Sequence, residues 1–378
     1  VSSIASYKPV LSVALTAFID FVGIGIIIPI APFYAEHFGA TPFEVTLLFT
    51  SYSLPQFLLA PIWGRISDRR GRRAFLLLGL SGEVFAYLIF AFSNSLYLLY
   101  FSRALAGSLS ANFAIISSYV SDVTSEEQRV RGLGLIGAAV GLGFVFGPLL
   151  GGLLSVFGFR TPILFAALLC VVNLILVALY VKEPKRTILP KKRFSEIFSH
   201  AKQLYTMGFL VNLAFVALQV TIALYGQALY GWNSRSVGFI LALIGVETAA
   251  IQGGAVYKLT SKIGEVRTIF LGLAVFASSY FILSFKNPEY LAILSIVLLG
   301  LGLGLTQPPA YSLISKLTPR GDQGAAFGLA QSLTSLSNII GPVIAGVSFE
   351  YVSPFTPYQI GLALILAGLV IFALFTPA

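Results

Sequence analysis

The sequence predicts an all-α membrane protein: twelve transmembrane helices in two related six-helix halves. Three observations predict it. The 378 residues are 57% hydrophobic and only 10% charged, where soluble domains carry about 25% charged residues. Apolar runs of the roughly 20 residues needed to cross a bilayer as a helix fill most of the chain, without the alternation in segments of about ten that a β-barrel requires. A glycine-proline pattern in the first half also recurs in the second.

Taken in order, the spans are read near 10–34, 43–63, 74–92, 96–120, 132–157, 162–181, 203–229, 237–257, 268–285, 290–315, 326–350 and 358–376. The first run contains Asp20 and is too long for a secretory h-region, so it is read as a span and not as a cleavable signal. The longest hydrophilic stretch, 182–202, is read as a basic cytoplasmic linker between an N-terminal bundle (1–181) and a C-terminal bundle (203–378). With the amino terminus inside, that terminus and the alternate loops on its side hold 20 of the 24 Lys and Arg. The outer loops hold Arg160, Arg235 and Lys286, and Arg103 lies within a span. Short loops rich in Lys and Arg stay inside, so both termini are expected in the cytoplasm of a cell-membrane protein. The net charge of +9 is then a sidedness effect that does not imply nucleic-acid binding, and the basic linker can lie on anionic lipid.

A shift of 194 residues places Gly134, Gly147, Pro148 and Gly152 on Gly328, Gly341, Pro342 and Gly346. A shift of 193 places Gly71 on Gly264. Scattered glycine matches follow from helix composition; a Gly-Pro pair with flanking glycines in register points to a repeat.

The stretch 64–73 carries the most information. It reads Gly64-Arg-Ile-Ser-Asp68-Arg-Arg-Gly71-Arg72-Arg73, with five arginines and one aspartate in ten residues between two apolar runs. A topogenic charge cluster needs neither the Asp nor the paired glycines. The pattern resembles the loop signature of the major facilitator superfamily. That resemblance implies two bundles with a substrate site at the midplane between them, and a latch on the inner face. Asp68 would meet the start of the eleventh helix near Ala326, since a carboxylate favours the positive end of a helix dipole, and Asp122 would pair with Arg72 or Arg73. The plainer reading is that these charges are solvated and add little.

The fifth span carries Gly134, Gly143, Gly147, Pro148, Gly151 and Gly152. Glycines four apart let helix backbones approach closely, and a proline permits a bend. This row resembles the motif of drug/proton antiporters within the superfamily, although ordinary small-residue packing produces similar rows. The first span, from Asp20 through Gly23, Gly25 and Pro29 to Pro32, resembles the opening of tetracycline/proton antiporters and their multidrug relatives.

Asp20 lies roughly 15 Å from the inner end at about 1.5 Å per residue, and an acid at that depth is a functional candidate by default. Arg103, the one basic residue in a span, is the expected counter-charge; the segment Arg103 to Gly107 resembles the family's fourth-helix motif. Burial and the counter-charge would then compete to set when Asp20 takes a proton. A fixed structural ion pair is the alternative. Glu83 and Glu247 are further candidates for proton coupling, with Glu83 expected at the periphery because the family's third helix lies there. Asp20 maps to Ala214 in the second half, which favours a proton path in the first.

Asn212, Gln219 and Gln227 share a face of the seventh span, Gln331, Ser335 and Asn338 one of the eleventh, and Gln307 precedes Pro308 and Pro309. They are read as a polar cavity wall opposite Phe18, Tyr52 and Tyr225; such stripes also serve as glue between helices. No cofactor is expected, and no metal centre, since the two histidines, His37 and His200, lie in loops. No phosphate-binding loop is present. The function expected is secondary transport by a monomer, exporting a small amphipathic or drug-like molecule in exchange for protons. A proton-coupled importer or facilitator of a sugar or organic acid is the alternative within transport. A membrane enzyme or a transporter-like sensor is the alternative outside it, although no nucleophile–base pair stands out in the spans.

Overall fold

Residues 2–124, 126–184, 198–199, 201–318 and 323–374 are described by a computed structural model. Twelve helices among them are long and apolar enough to cross a membrane. Contacts divide the chain into two units. Unit 1 is Val1–Ala40, Ser51–Leu189 and Asn233–Ala242, and unit 2 is Thr41–Thr50, Pro190–Trp232 and Leu243–Ala378. The ten residues that open the second span and the ten that open the eighth therefore fall in the unit opposite the one their position in the chain suggests. The basic stretch 182–202 lies mostly outside the described residues, as does His200.

Unit 1 contains α1 (Ser2–Ile27), α2 (Ala31–Glu36), most of α3 (Pro42–Arg70), α4 (Arg72–Ala91), α5 (Leu96–Leu109), α6 (Asn112–Val123), α7 (Glu126–Leu154) and α8 (Arg160–Tyr180). Unit 2 contains α9 (Lys202–Tyr230), most of the broken eighth span, α12 (Glu265–Leu283), α13 (Glu289–Leu317), α14 (Gln323–Tyr351) and α15 (Thr356–Ala373). The eighth span consists of α10 (Ser234–Ala250), a π-helical turn at Ile251–Ala255, and α11 (Val256–Ile263).

The packing repeats between the units. In unit 1, α1 packs on α7 and α8, and α4 packs on α5 and α8; in unit 2, α9 packs on α14 and α15, and α12 on α13 and α15. The sequence shift of 193–194 residues thus corresponds to the same set of helix pairs in each half. In unit 1 the backbone of Gly25 on α1 meets Gly147 and Pro148 on α7: a Cβ at 147 would lie 2.6 Å from the Gly25 Cα. Gly143 sits against Phe21, Gly151 against the Ile26 carbonyl and Gly152 against Gly238. Gly134 has nothing within 4 Å of its missing Cβ, so the close-packed row begins at Gly143. Helix α7 runs through Pro148 without interruption.

Four span boundaries differ from the sequence reading. The first helix stops at Ile27 and restarts at Ala31, because Pro29 and Pro32 cannot donate to the ladder. The second continues to Arg70, so the basic loop shrinks to Gly71. There φ is +116°, a conformation open to glycine, while Arg69 and Arg70 suit a helix C-terminus. The fourth is broken at Ser110 and Ala111, between α5 and α6. The eighth contains the π-helical turn, where Gly253 and Gly254 follow Gln252.

Candidate acid cluster and inner hairpin

The break in the fourth span builds the site. Helix α6 restarts at Asn112 in the middle of the apolar stretch, and irregular backbone at that depth is tolerated only where it is buried in protein or lines a cavity. Ser110, at the break, is hydrogen-bonded to the Tyr52 hydroxyl at 2.8 Å and accepts from Gln56 Nε2 at 3.2 Å. Two residues on, Asn112 Nδ2 donates to Asp20 Oδ1 at 3.2 Å and to Glu83 Oε1 at 3.1 Å. The Cys170 thiol donates to Glu83 Oε2 at 3.4 Å. Four helices, α1, α4, α6 and α8, thus converge on one buried cluster, and Asp20, Glu83, Asn112 and Cys170 are each no more than 3% exposed.

Two expectations are overturned here. Arg103 is not the ionic partner of Asp20. Its guanidinium lies over the rings of Phe90, at 4.6 Å, and Tyr87, at 5.6 Å, and it reaches Ser102 Oγ at 3.5 Å. Among the described residues it makes no ion pair within 4.0 Å. Aromatic faces stabilise the cation in its place. Glu83 is not peripheral: it is buried beside Asp20, because α4 packs into the core of unit 1 against α5 and α8. Asn112 and Cys170 were missed as site residues. The only trace in the sequence is an amide following Ser108 and Ser110 within an apolar run.

The ligand atoms of Asp20, Glu83 and Cys170 lie within 4.8 Å of one another, close enough to hold a metal ion. The donor set argues for a proton instead. An N–H aimed at both carboxyls would be repelled by a cation seated there, whereas it complements a carboxylate. Among the described residues unit 2 carries no counterpart: Ala214 stands at the place of Asp20, where its carbonyl accepts from the Tyr280 hydroxyl at 2.7 Å, and a shift of 193 places Phe276 on Glu83.

The inner hairpin is also built. Arg72 ion-pairs with Asp68 and, through Nε, with Asp122 Oδ2 at 3.1 Å, so Arg72 rather than Arg73 takes Asp122. Glu183, which the sequence did not single out, receives the first amides of α4: Arg72 N at 2.6 Å and Arg73 N at 3.0 Å. Glu183 thus places a carboxylate at the positive end of α4, where it is favoured by the helix dipole. Arg73 Nη2 donates to the Ala178 carbonyl. Gly64 touches nothing within 4 Å of its missing Cβ, whereas a Cβ at Gly71 would lie 2.8 Å from Glu183 Oε2.

The predicted cavity wall divides. In unit 2, Asn212 and Gln307 line a cavity of about 80 Å³ with Thr306, Tyr311 and Thr334. Helix α14 presents Ala330, Leu333 and Thr334 to it, a neighbouring face to the one carrying Gln331, Ser335 and Asn338. Of those three, Gln331 is exposed and the others half-buried. On α9, Gln219 is half-buried and Gln227 exposed. Tyr225 is fully buried, with its ring 4.8 Å from that of Tyr358. In unit 1, Phe18 packs edge-on against Phe146 at 6.1 Å and Tyr52 belongs to the Ser110 network. Glu247 lies in α10 with Oε2 buried against Gly300 and unpartnered.

Comparison with known proteins agrees with this architecture. The Major Facilitator Superfamily model matches residues 13–257 and 248–378. The class B tetracycline resistance protein of Escherichia coli is 34% identical over 352 residues, covering 89% of this chain and 87% of that protein. Multidrug resistance protein 2 of Bacillus subtilis (strain 168) is 27% identical over 92% of this chain and 90% of its own length. Among solved structures, the human organic anion transporter MFSD10 (TETRAN) superposes with a TM-score of 0.75 over 97% of this chain and 99% of that one, at 22% identity. With twelve spans, a repeated helix-packing pattern and a family match across nearly its whole length, this chain belongs to the major facilitator superfamily of membrane transporters.

Proposed function

We propose that the protein is a proton-coupled antiporter that exports small amphipathic, drug-like molecules by alternating access, with Asp20 and Glu83 together carrying the coupled proton. The observation that carries this reading is the pair itself: two acids on different helices, buried in the apolar part of unit 1 and bridged by one amide, with no cation in direct contact among the described residues. Two carboxylates this close cannot both ionise at low cost, and an intramembrane acid pair of this kind suits a proton relay. The names of the relatives, tetracycline and multidrug resistance proteins, support the substrate class. The basic inner loops support cytoplasmic termini, and the hairpin of Asp68, Arg72 and Asp122 serves as the inner-face latch. Asn212 and Gln307 offer the substrate neutral hydrogen-bonding groups in unit 2.

The test is substrate-dependent proton movement in liposomes with an imposed pH gradient, alongside counterflow without one. Asp20→Asn and Glu83→Gln should each abolish coupled proton movement while retaining some counterflow. Undiminished proton movement in both variants would move the coupling site to Glu247.

A further inference from the structure

Among the described residues, Asn112 is the one neutral side chain hydrogen-bonded to both acids. Its Nδ2 carries two hydrogens, and the two carboxyl oxygens it faces, Asp20 Oδ1 and Glu83 Oε1, accept one each. Its Oδ1 is buried without a hydrogen-bond partner, towards Gly79 of α4, so the side chain is committed to donation. It also occupies the first turn of α6, directly after the break whose other residue, Ser110, is tied to Tyr52 and Gln56. The ionisable groups that interact with the acid pair of Asp20 on α1 and Glu83 on α4 are Tyr52 on α3, Tyr87 on α4, Arg103 on α5 and Cys170 on α8. Of these, only Arg103 is a cation. One proton on the acid pair leaves a net charge of −1, which the buried Arg103 balances without touching it. Removing that proton leaves a buried negative charge with no counter-ion, a state that must wait for water.

From this geometry we infer that Asn112 is a positioning residue that binds Asp20 and Glu83 into a single one-proton unit and links its protonation state to the break in the fourth span. A donor to a carboxylate favours the ionised form, so Asn112 holds the second acid in its charged state while the pair shares one proton. The inference rests on the reading of Asp20 and Glu83 as the coupling pair, and the experiment separates the two.

Full-length protein is purified, and the carboxyl band of its infrared spectrum is titrated. Asp20→Asn and Glu83→Gln identify the band of the pair. Asn112→Leu removes both donated bonds without adding charge, and its midpoint should move to higher pH by about one to two units, the size expected for one hydrogen bond lost to an ionised carboxylate. Asn112→Ser keeps a single donor and should move less, with thermal stability near that of the parent; it decides the matter if Asn112→Leu does not fold. The pH profile of substrate-driven proton release should shift in parallel. An unchanged or acid-shifted midpoint in a folded Asn112 variant overturns the inference and leaves Asn112 a packing residue. If Asp20→Asn and Glu83→Gln themselves leave both the band and the proton release intact, the coupling assignment fails, and the role of Asn112 with it.

Discussion

Replacing Gly147 by alanine tests whether the glycine row of α7 acts through backbone contact. The added Cβ would lie 2.6 Å from the Gly25 Cα and 2.8 Å from the Val22 carbonyl oxygen. Carbon atoms pack at about 3.5–4.0 Å, so α1 and α7 must part by about 1 Å at this point. Overpacking of this kind costs about 1–3 kcal/mol, while exchanging glycine for alanine in a helix returns roughly 0.5–1 kcal/mol. The net expectation is a loss of about 0–2.5 kcal/mol, and Gly147→Leu should be worse. Gly134→Ala is the internal control: nothing lies within 4 Å of its missing Cβ, so it should keep or gain stability. Because Asp20 lies on α1 five residues before Gly25, parting the helices also stretches the Asn112 bridge, and Gly147→Ala should lose coupling as well as stability. Thermal unfolding of the purified proteins and proton movement in liposomes measure the two effects. If Gly147→Ala is as stable as Gly134→Ala and fully coupled, the contact with α1 is not what this row provides.

Three further outcomes are expected around the inner hairpin. Gly71→Ala forces a side chain into a backbone with φ of +116° and against Glu183; a strain of about 1–2 kcal/mol should lower the unfolding temperature. Glu183→Gln keeps its shape but removes the charge at the start of α4, a loss of about 0.3–1 kcal/mol that added salt should shrink; a salt-independent loss would point to geometry alone. Asp122→Asn removes one of the two carboxylates on Arg72 and should raise the reactivity of cysteines placed in the inner loops, and unchanged reactivity would remove Asp122 from the latch.

By itself the sequence determined the membrane class, twelve spans, the repeat and the depth of Asp20. All of these depend on local quantities: hydropathy over about 20 residues, the offset between matching motifs, and distance along a helix at a fixed rise. The glycines of α7 could be read as a close-packing face for the same reason, since four-residue spacing puts them on one side of any helix. The partner across that face, Gly25 on α1, could not.

Tertiary structure decided which polar groups meet. Depth along the membrane is local, but the direction a side chain points depends on how each helix is rotated against its neighbours. On depth, Arg103 is the expected partner for Asp20 and Glu83 is expected at the periphery. Rotation turned Arg103 onto Phe90 and Tyr87 and brought Glu83, Asn112 and Cys170 to the acid. The same azimuth put Thr334 rather than Ser335 on the cavity in unit 2. The break at Ser110 and Ala111 had no proline to announce it. It is held by hydrogen bonds between Ser110 and Tyr52 and Gln56 on another helix, groups that lie some 55 residues away in the chain and meet Ser110 only once α3 and α5 have packed.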